Sequence, residues 1–174
     1  MLALKQQNKD MSKDPAKLKK VAVSLPFGLG SAEWEADSTQ RRAAWALYVE
    51  LVTRVAVQEL ADDAGLGREV MNSLYTLFGA TREILREAGP DVGASRESLG
   101  GLAIAVLNQG LRPFLTKWHP LLQVWEAKRP QKTSPKEHEQ LWTKEPELRL
   151  ELSRLRAELE VYAQALAKVA GVEA

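Results

Sequence analysis

Leu148, Leu152, Leu155, Leu159, Tyr162, Leu166 and Val169 follow one another at alternating spacings of four and three without a slip. A helix gathers such positions into one stripe, because 3.6 residues make a turn. A stripe this long needs an apolar partner of comparable length, which commits the chain to helix-on-helix packing. The predicted helix runs from about Glu145 to Ala170, with Pro146 marking its start and Gly171 its cap. Glu145 and Arg149 form a favourable pair on its outer face. That outer face is charged, which disfavours a long coiled-coil dimer.

Three further stretches share the helical period. Asp37, with Gln40 three residues on, opens the first helix in a capping-box pattern. Trp45, Tyr48, Val52, Val55 and Ala56 mark its expected buried face, Val49 and Leu60 widen it, and Gly65 and Gly67 end it. The second helix is predicted from about Arg68 to Ala88, buried along Val70, Leu74, Leu77, Phe78, Thr81, Ile84 and Leu85. Gly89 and Pro90 stop it. Gly79 inside it costs about 1 kcal/mol relative to Ala, for which a close helix crossing is the expected reason.

The third helix begins near Ser95 and is the most apolar, through Leu99, Leu102, Ala103, Val106, Leu107, Leu111, Phe114, Leu115 and Trp118. Gly100, Gly101 and Gly110 allow close backbone approach, and Pro113 predicts a kink. Pro120 starts or bends a further turn or two. Arg129 to Pro135 reads as a loop. Ser134, Pro135 and Glu137 then open a short helix over Lys136 to Trp142. The expected fold is all-α: an antiparallel up-down four-helix bundle with a kinked third helix and a short extra helix before the last.

Two segments precede this bundle of residues 37–174. Residues 1–20 carry six lysines against two aspartates and read as a mobile basic tail. MSKDPAKLKK looks like a natural opening, so Met11 competes with Met1 as the start. Residues 21–36 read as an extended apolar arm, in which Val21, Val23 and Leu25 alternate with small residues before Pro26, Phe27, Gly28, Leu29, Gly30 and Trp34. A lone strand has no partner in a helical chain. The arm is therefore expected to lie on its own bundle, with docking on a partner or on a second copy as the competing reading.

The 174 residues suit a single domain and core. The net charge of +1 argues against a dedicated nucleic-acid binder. The absence of cysteine removes disulfides, thiolate catalysis and Cys-based metal sites, and suits the cytoplasm. The opening MLALKQQNKD lacks the apolar core of a signal peptide. The longest apolar run, Leu102 to Leu107, falls far short of a membrane span of about 20 residues.

Catalytic patterns are missing. His119 and His138 lack the Glu three residues earlier that a di-iron bundle uses, and no His-x-x-x-His occurs. No Gly-x-Ser-x-Gly elbow is present, and Gly28-Leu29-Gly30-Ser31 lacks the Lys-Ser/Thr ending of a phosphate loop. No catalytic residue, metal or cofactor is implied. The Arg41-Arg42 pair, near the positive end of a helix, and His119 are the candidate anion-binding groups. Arg112 to Pro120 combines a kink, cations, a Trp and a His, the chemistry of interface hot spots. Asn108 or Gln109 is expected to face the core, with a hydrogen-bond partner there.

The expected function is a non-enzymatic protein-protein interaction module, an adaptor, regulator or assembly subunit that binds another protein subunit. The partner-binding residues are Phe27, Leu29 and Trp34 in the arm and Arg112, Lys117 and Trp118 at the kink. One competing reading is a small-molecule-binding or catalytic bundle with a pocket beside Asn108, Gly110 and Pro113. Another is a nucleic-acid or membrane-surface accessory that uses the lysine tail.

Overall fold

The computed structural model describes residues 20–54, 56–57 and 65–172. The lysine-rich stretch before Lys20, and Val55 and Leu60 of the first-helix stripe, lie outside the described residues. The described chain is mostly helical, with one small antiparallel sheet.

The sheet corrects the all-α expectation. β1 (Lys20–Ser24) pairs with β2 (Ser31–Glu35), so the arm supplies its own second strand. A tight turn reverses the chain: Leu29 N–H donates to Pro26 O at 3.1 Å. Phe27 (φ 56°) and Gly28 (φ 69°) take the two left-handed positions of this turn, as the twist of a hairpin favours. Val23 and Trp34 face inward while their strand neighbours face water. β1 rests on the last helix.

α1 (Ser38–Val52) starts where the cap predicts, with Asp37 Oδ1 accepting from Thr39 and Gln40 N–H at 2.8 Å each. It ends well before Gly65. Thr53 Oγ1 donates to Val49 O at 2.7 Å, and Arg54 and Val57 then enter successive turns. Its buried face also departs from expectation. Ala43, Ala44, Leu47 and Leu51 are buried, whereas Trp45 and Val49 are exposed. The helix is apolar on two sides, and the side of Ala43, Ala44, Leu47 and Leu51 is the one that packs.

α2 (Gly67–Ala88) buries Val70, Met71, Leu74, Leu77 and Thr81. Gly79 is exposed, and a Cβ there would meet nothing within 4 Å, so no crossing explains it. A 3-10 turn (Pro90–Gly93) leads to α3 (Leu99–Ala105), which Ser98 caps three residues later than the expected start. Gly100 and Gly101 do serve close approach: a Cβ would lie 2.8 Å from Val92 O and 2.3 Å from Ser95 O, respectively.

A π-helical segment (Val106–Leu111) joins α3 to α4 (Arg112–Glu126). The backbone N–H of Arg112 donates to Leu107 O, five residues back. Pro113 follows immediately, where the wider turn accommodates a residue that cannot donate. The added residue shifts the helix phase, so Asn108 and Gln109 both face outward rather than one facing the core. Pro120 sits inside α4, which continues through it.

α5 (Pro135–Gln140) carries the complete Ser134–Glu137 capping box. α6 (Glu145–Ala170) buries all seven residues of its stripe and ends on left-handed Gly171. Its last turns also bury Ala163, Ala165 and Ala167. Arg41 Nε donates to Ala170 O at 3.3 Å, and Arg156 Nε to Ala56 O at 3.2 Å, so α1 and α6 run antiparallel. α2 and α4 do likewise, with Arg68 beside Glu126 and Phe78 under Arg112.

Candidate functional site

The sequence-predicted candidates fall into three places. Those on the arm are turned inward. Trp34 is buried and its indole N–H donates to Glu97 O at 2.8 Å, holding β2 to the loop before α3. Phe27 is half-buried. Its N–H donates to the Glu158 carboxylate and its ring lies against Gly110, where a Cβ would sit 2.4 Å from Phe27 Cζ. The space beside Gly110 is thus filled by the chain itself. Leu29, also half-buried, lines a groove beside β2.

The residues expected at a kink form a second group. Trp118 is fully buried and donates from Nε1 to Glu151 Oε2 at 2.7 Å. Lys117 reaches Glu151 at 2.5 Å and Glu147 at 2.9 Å while lying 4.5 Å from the Trp118 ring centre. The bonds to Glu151 and then Glu147 hold the Lys117 ammonium above its usual range, and the Lys117 bond holds the Glu151 carboxyl below its own. Arg112 bonds Asn108 Oδ1 at 3.0 and 3.2 Å and lies 5.3 Å from the centre of the Phe78 ring. Further along, Trp118 meets Trp142 edge-on, Trp142 stacks on Trp125, and Trp125 stacks on His138 at 4.5 Å. Trp125 and His138 also exchange hydrogen bonds through their carbonyls, at 2.9 and 2.8 Å. This chain of rings ties α4 to α5 and to the segment before α6.

The candidate anion-binding groups are not brought together. Arg41 sits on the carbonyl end of α6, where a cation complements the helix dipole. Arg42 Nη2 donates to Thr39 at 3.3 Å. His119 lies elsewhere, 3.1 Å from Arg68 Nη1 and edge-on to Tyr75. Arg68 in turn holds Glu126 through contacts of 2.6, 3.0 and 3.1 Å. Among the described residues, no three His, Asp or Glu side chains gather as a metal would need, and no helix is long and apolar enough to cross a membrane.

A different surface carries exposed apolar area. Trp45 is 48% exposed and stacks on Tyr48 at 5.7 Å, and Val49 beside them is 36% exposed. This outward ridge of α1 borders a groove of about 690 Å³ lined by Tyr48, Val52, Ala163, Gln164, Lys168 and Val172, among others. Val172 is itself 36% exposed. A ridge of Trp, Tyr and Val facing water is the feature that marks contact surfaces. Spacing alone does not reveal it, because it places these same residues in the core. The available signal was the second apolar stripe, Ala43, Ala44, Leu47 and Leu51, on the opposite side of one helix.

No protein-family model, curated protein or solved structure matches the chain.

Proposed function

We propose that this chain is a non-enzymatic protein-protein interaction module, an adaptor or assembly subunit, and that the outward ridge of α1 is its docking surface. The helices are read as an irregular antiparallel four-helix bundle whose hairpin braces one end. The partner is another protein subunit presenting an amphipathic helix, laid into the groove between α1 and α6. The observation that carries this reading is Trp45, a large aromatic half exposed on a helix that already buries a full face elsewhere. The groove's walls suit a helix, with an apolar floor of Tyr48, Val52 and Ala163 and a polar rim of Glu160, Gln164 and Lys168.

The test is to recover the tagged full chain from its native cells beside the Trp45→Glu and Val49→Glu variants. Both substitutions lie on the surface, so circular dichroism and the thermal midpoint stay near wild type. A stoichiometric protein partner lost in both variants supports the reading. A partner retained by both, or a wild-type chain that comes out alone, overturns it. Substitutions of Trp34 or Trp118 do not serve this purpose, because their rings are inside the fold.

A further inference from the structure

We propose that the free edge of β2, with the groove between β2 and α3, accepts an extended basic peptide as a third strand. This surface is separate from the α1 ridge and stands or falls independently of it.

The argument begins with the pairing register. Val21 faces Trp34, Val23 faces Ala32, and Leu25 N–H donates to Gly30 O at 2.8 Å. Bonded and non-bonded pairs alternate in an antiparallel ladder. The Leu25–Gly30 bond therefore fixes Val23–Ala32 and Val21–Trp34 as the bonded pairs. It follows that the N–H and C=O groups of Ser31, Glu33 and Glu35 point away from β1. Among the described residues the sheet has two strands, so these groups form an open row at the two-residue repeat that strand addition uses.

The row borders a groove rather than a flat surface. Ser31, Ala32, Glu33 and Trp34 form one wall of a space of about 730 Å³, with Leu102, Ile104, Ala105, Asn108 and Gln109 among the residues of the wall opposite. Ile104 is 50% exposed there, an apolar rest for the inward side chains of an added strand. Trp34, bonded to Glu97 O, fixes the floor of the groove at one end.

Charge selects the occupant. The side chains of Ser31, Glu33 and Glu35 all lie on the exposed face of β2. Lys20 stands opposite Glu35, whereas Glu33 stands opposite Ala22 and has no cation across the strand pair. Glu97 adds a carboxylate on the rim, against one guanidinium, Arg96. Opposite charges on directly facing strand residues stabilise pairing and like charges oppose it. An antiparallel β2–β2 pairing of two copies centred on Glu33 or on Trp34 would set Glu33 against Glu33 or Glu35 of the other chain. A strand with outward lysines and inward aliphatics meets both requirements.

The probe is acetyl-Lys-Val-Lys-Val-Lys-Val-amide, added to the full chain labelled with ¹⁵N. The expected result is saturable binding that slows amide exchange at Ser31, Glu33 and Glu35 by about tenfold or more, with little change at Ala32 and Trp34, which are already bonded to β1. The alternating Glu-Val peptide and a Lys-Val peptide N-methylated on its bonding edge should both bind about tenfold more weakly or worse. Glu33→Lys should reverse the preference between the two charged peptides. Glu33→Pro removes only an N–H directed away from β1, so it keeps the hairpin and loses the peptide. Failure of the Lys-Val peptide to protect these amides, or binding indifferent to peptide charge or N-methylation, overturns the proposal. So does prior protection of the three amides in the free protein. If independent of concentration, that protection means the edge is taken by the chain's own lysine-rich N-terminal stretch, and if concentration-dependent, by a second copy.

Discussion

The Phe27 ring occupies the space that Gly110 leaves by having no side chain, which joins the turn of the hairpin to the π-helical segment. A Cβ on Gly110 would stand 2.4 to 2.7 Å from three ring carbons. Gly110→Ala should therefore push the ring out and destabilise the fold by about 1–3 kcal/mol. Phe27→Ala should cost a similar amount by emptying the contact, the ring being only half-buried. The double variant, in which the clash no longer exists, should be less destabilised than the sum of the two. Urea unfolding of all four proteins checks this, and strict additivity would show that the contact does not couple hairpin and helix.

Glu151 is the single carboxylate that serves both Lys117 and the buried indole of Trp118. Removing it by Glu151→Ala should leave the Trp118 N–H without an acceptor inside the fold, at about 1–3 kcal/mol. Glu147 touches only the exposed Lys117 end, and Glu147→Ala should cost less than about 1 kcal/mol. Thermal midpoints of the two variants give the comparison. Equal losses would place the value of this group in the surface ion pair instead of the indole bond.

What the sequence makes legible follows from how many signals agree at one place. α6 is read correctly residue by residue because spacing, Pro146 and Gly171 all point to one helix. The Ser134–Glu137 box is equally plain. α1 is different. It carries Ala43, Ala44, Leu47 and Leu51 on one side and Trp45, Tyr48, Val49 and Val52 on another, so periodicity offers two faces and bulk favours the wrong one. The face of Ala43, Ala44, Leu47 and Leu51 is the one that is buried. The π-turn has no sequence period of its own, which is why helical spacing places one of Asn108 and Gln109 inside. β2 (SAEWE) is too polar to announce a strand, and only its register with β1 reveals that Trp34 and Ala32 form its inner side. The candidate surface on α1 was hidden by the same ambiguity that misplaced the core.

Gly79 offers a clean stability test, since it is exposed and open to a methyl group. Without a crossing to serve, glycine there only weakens α2. Gly79→Ala should stabilise the protein by about 0.5–1 kcal/mol, raising the thermal midpoint by about 2–4 °C. An unchanged or lowered midpoint would show that this position meets a contact after all.

Glu139 links α5 to the first turn of α2, because its carboxylate accepts the Gly67 N–H at 2.9 and 3.1 Å from a residue that is itself buried. Leu66, the residue before that turn, provides no side-chain cap. Burial raises the Glu139 carboxyl above its ordinary 4.5, against the pull of the Gly67 bond and of Arg149. A carboxyl raised in the folded state keeps a proton that the unfolded chain has already released. Through the window that opens at about 4.5 and ends at the folded value, stability therefore falls as pH rises. Glu151, held down by Lys117, and Glu137, held down by Ser134, act in the opposite sense at lower pH: their contribution is present above about 4.5 and is lost as pH falls through their folded values. Glu139→Gln keeps an oxygen for Gly67 and removes the titration, so its urea midpoint should decline less than that of wild type as pH rises above about 4.5. Glu139→Ala, which removes the acceptor, should be less stable across the whole range by about 1 kcal/mol. Parallel pH profiles for wild type and the Gln variant would mean that the carboxyl titrates as it does in water, and that α2 gains its first-turn acceptor without the penalty of burying a charge.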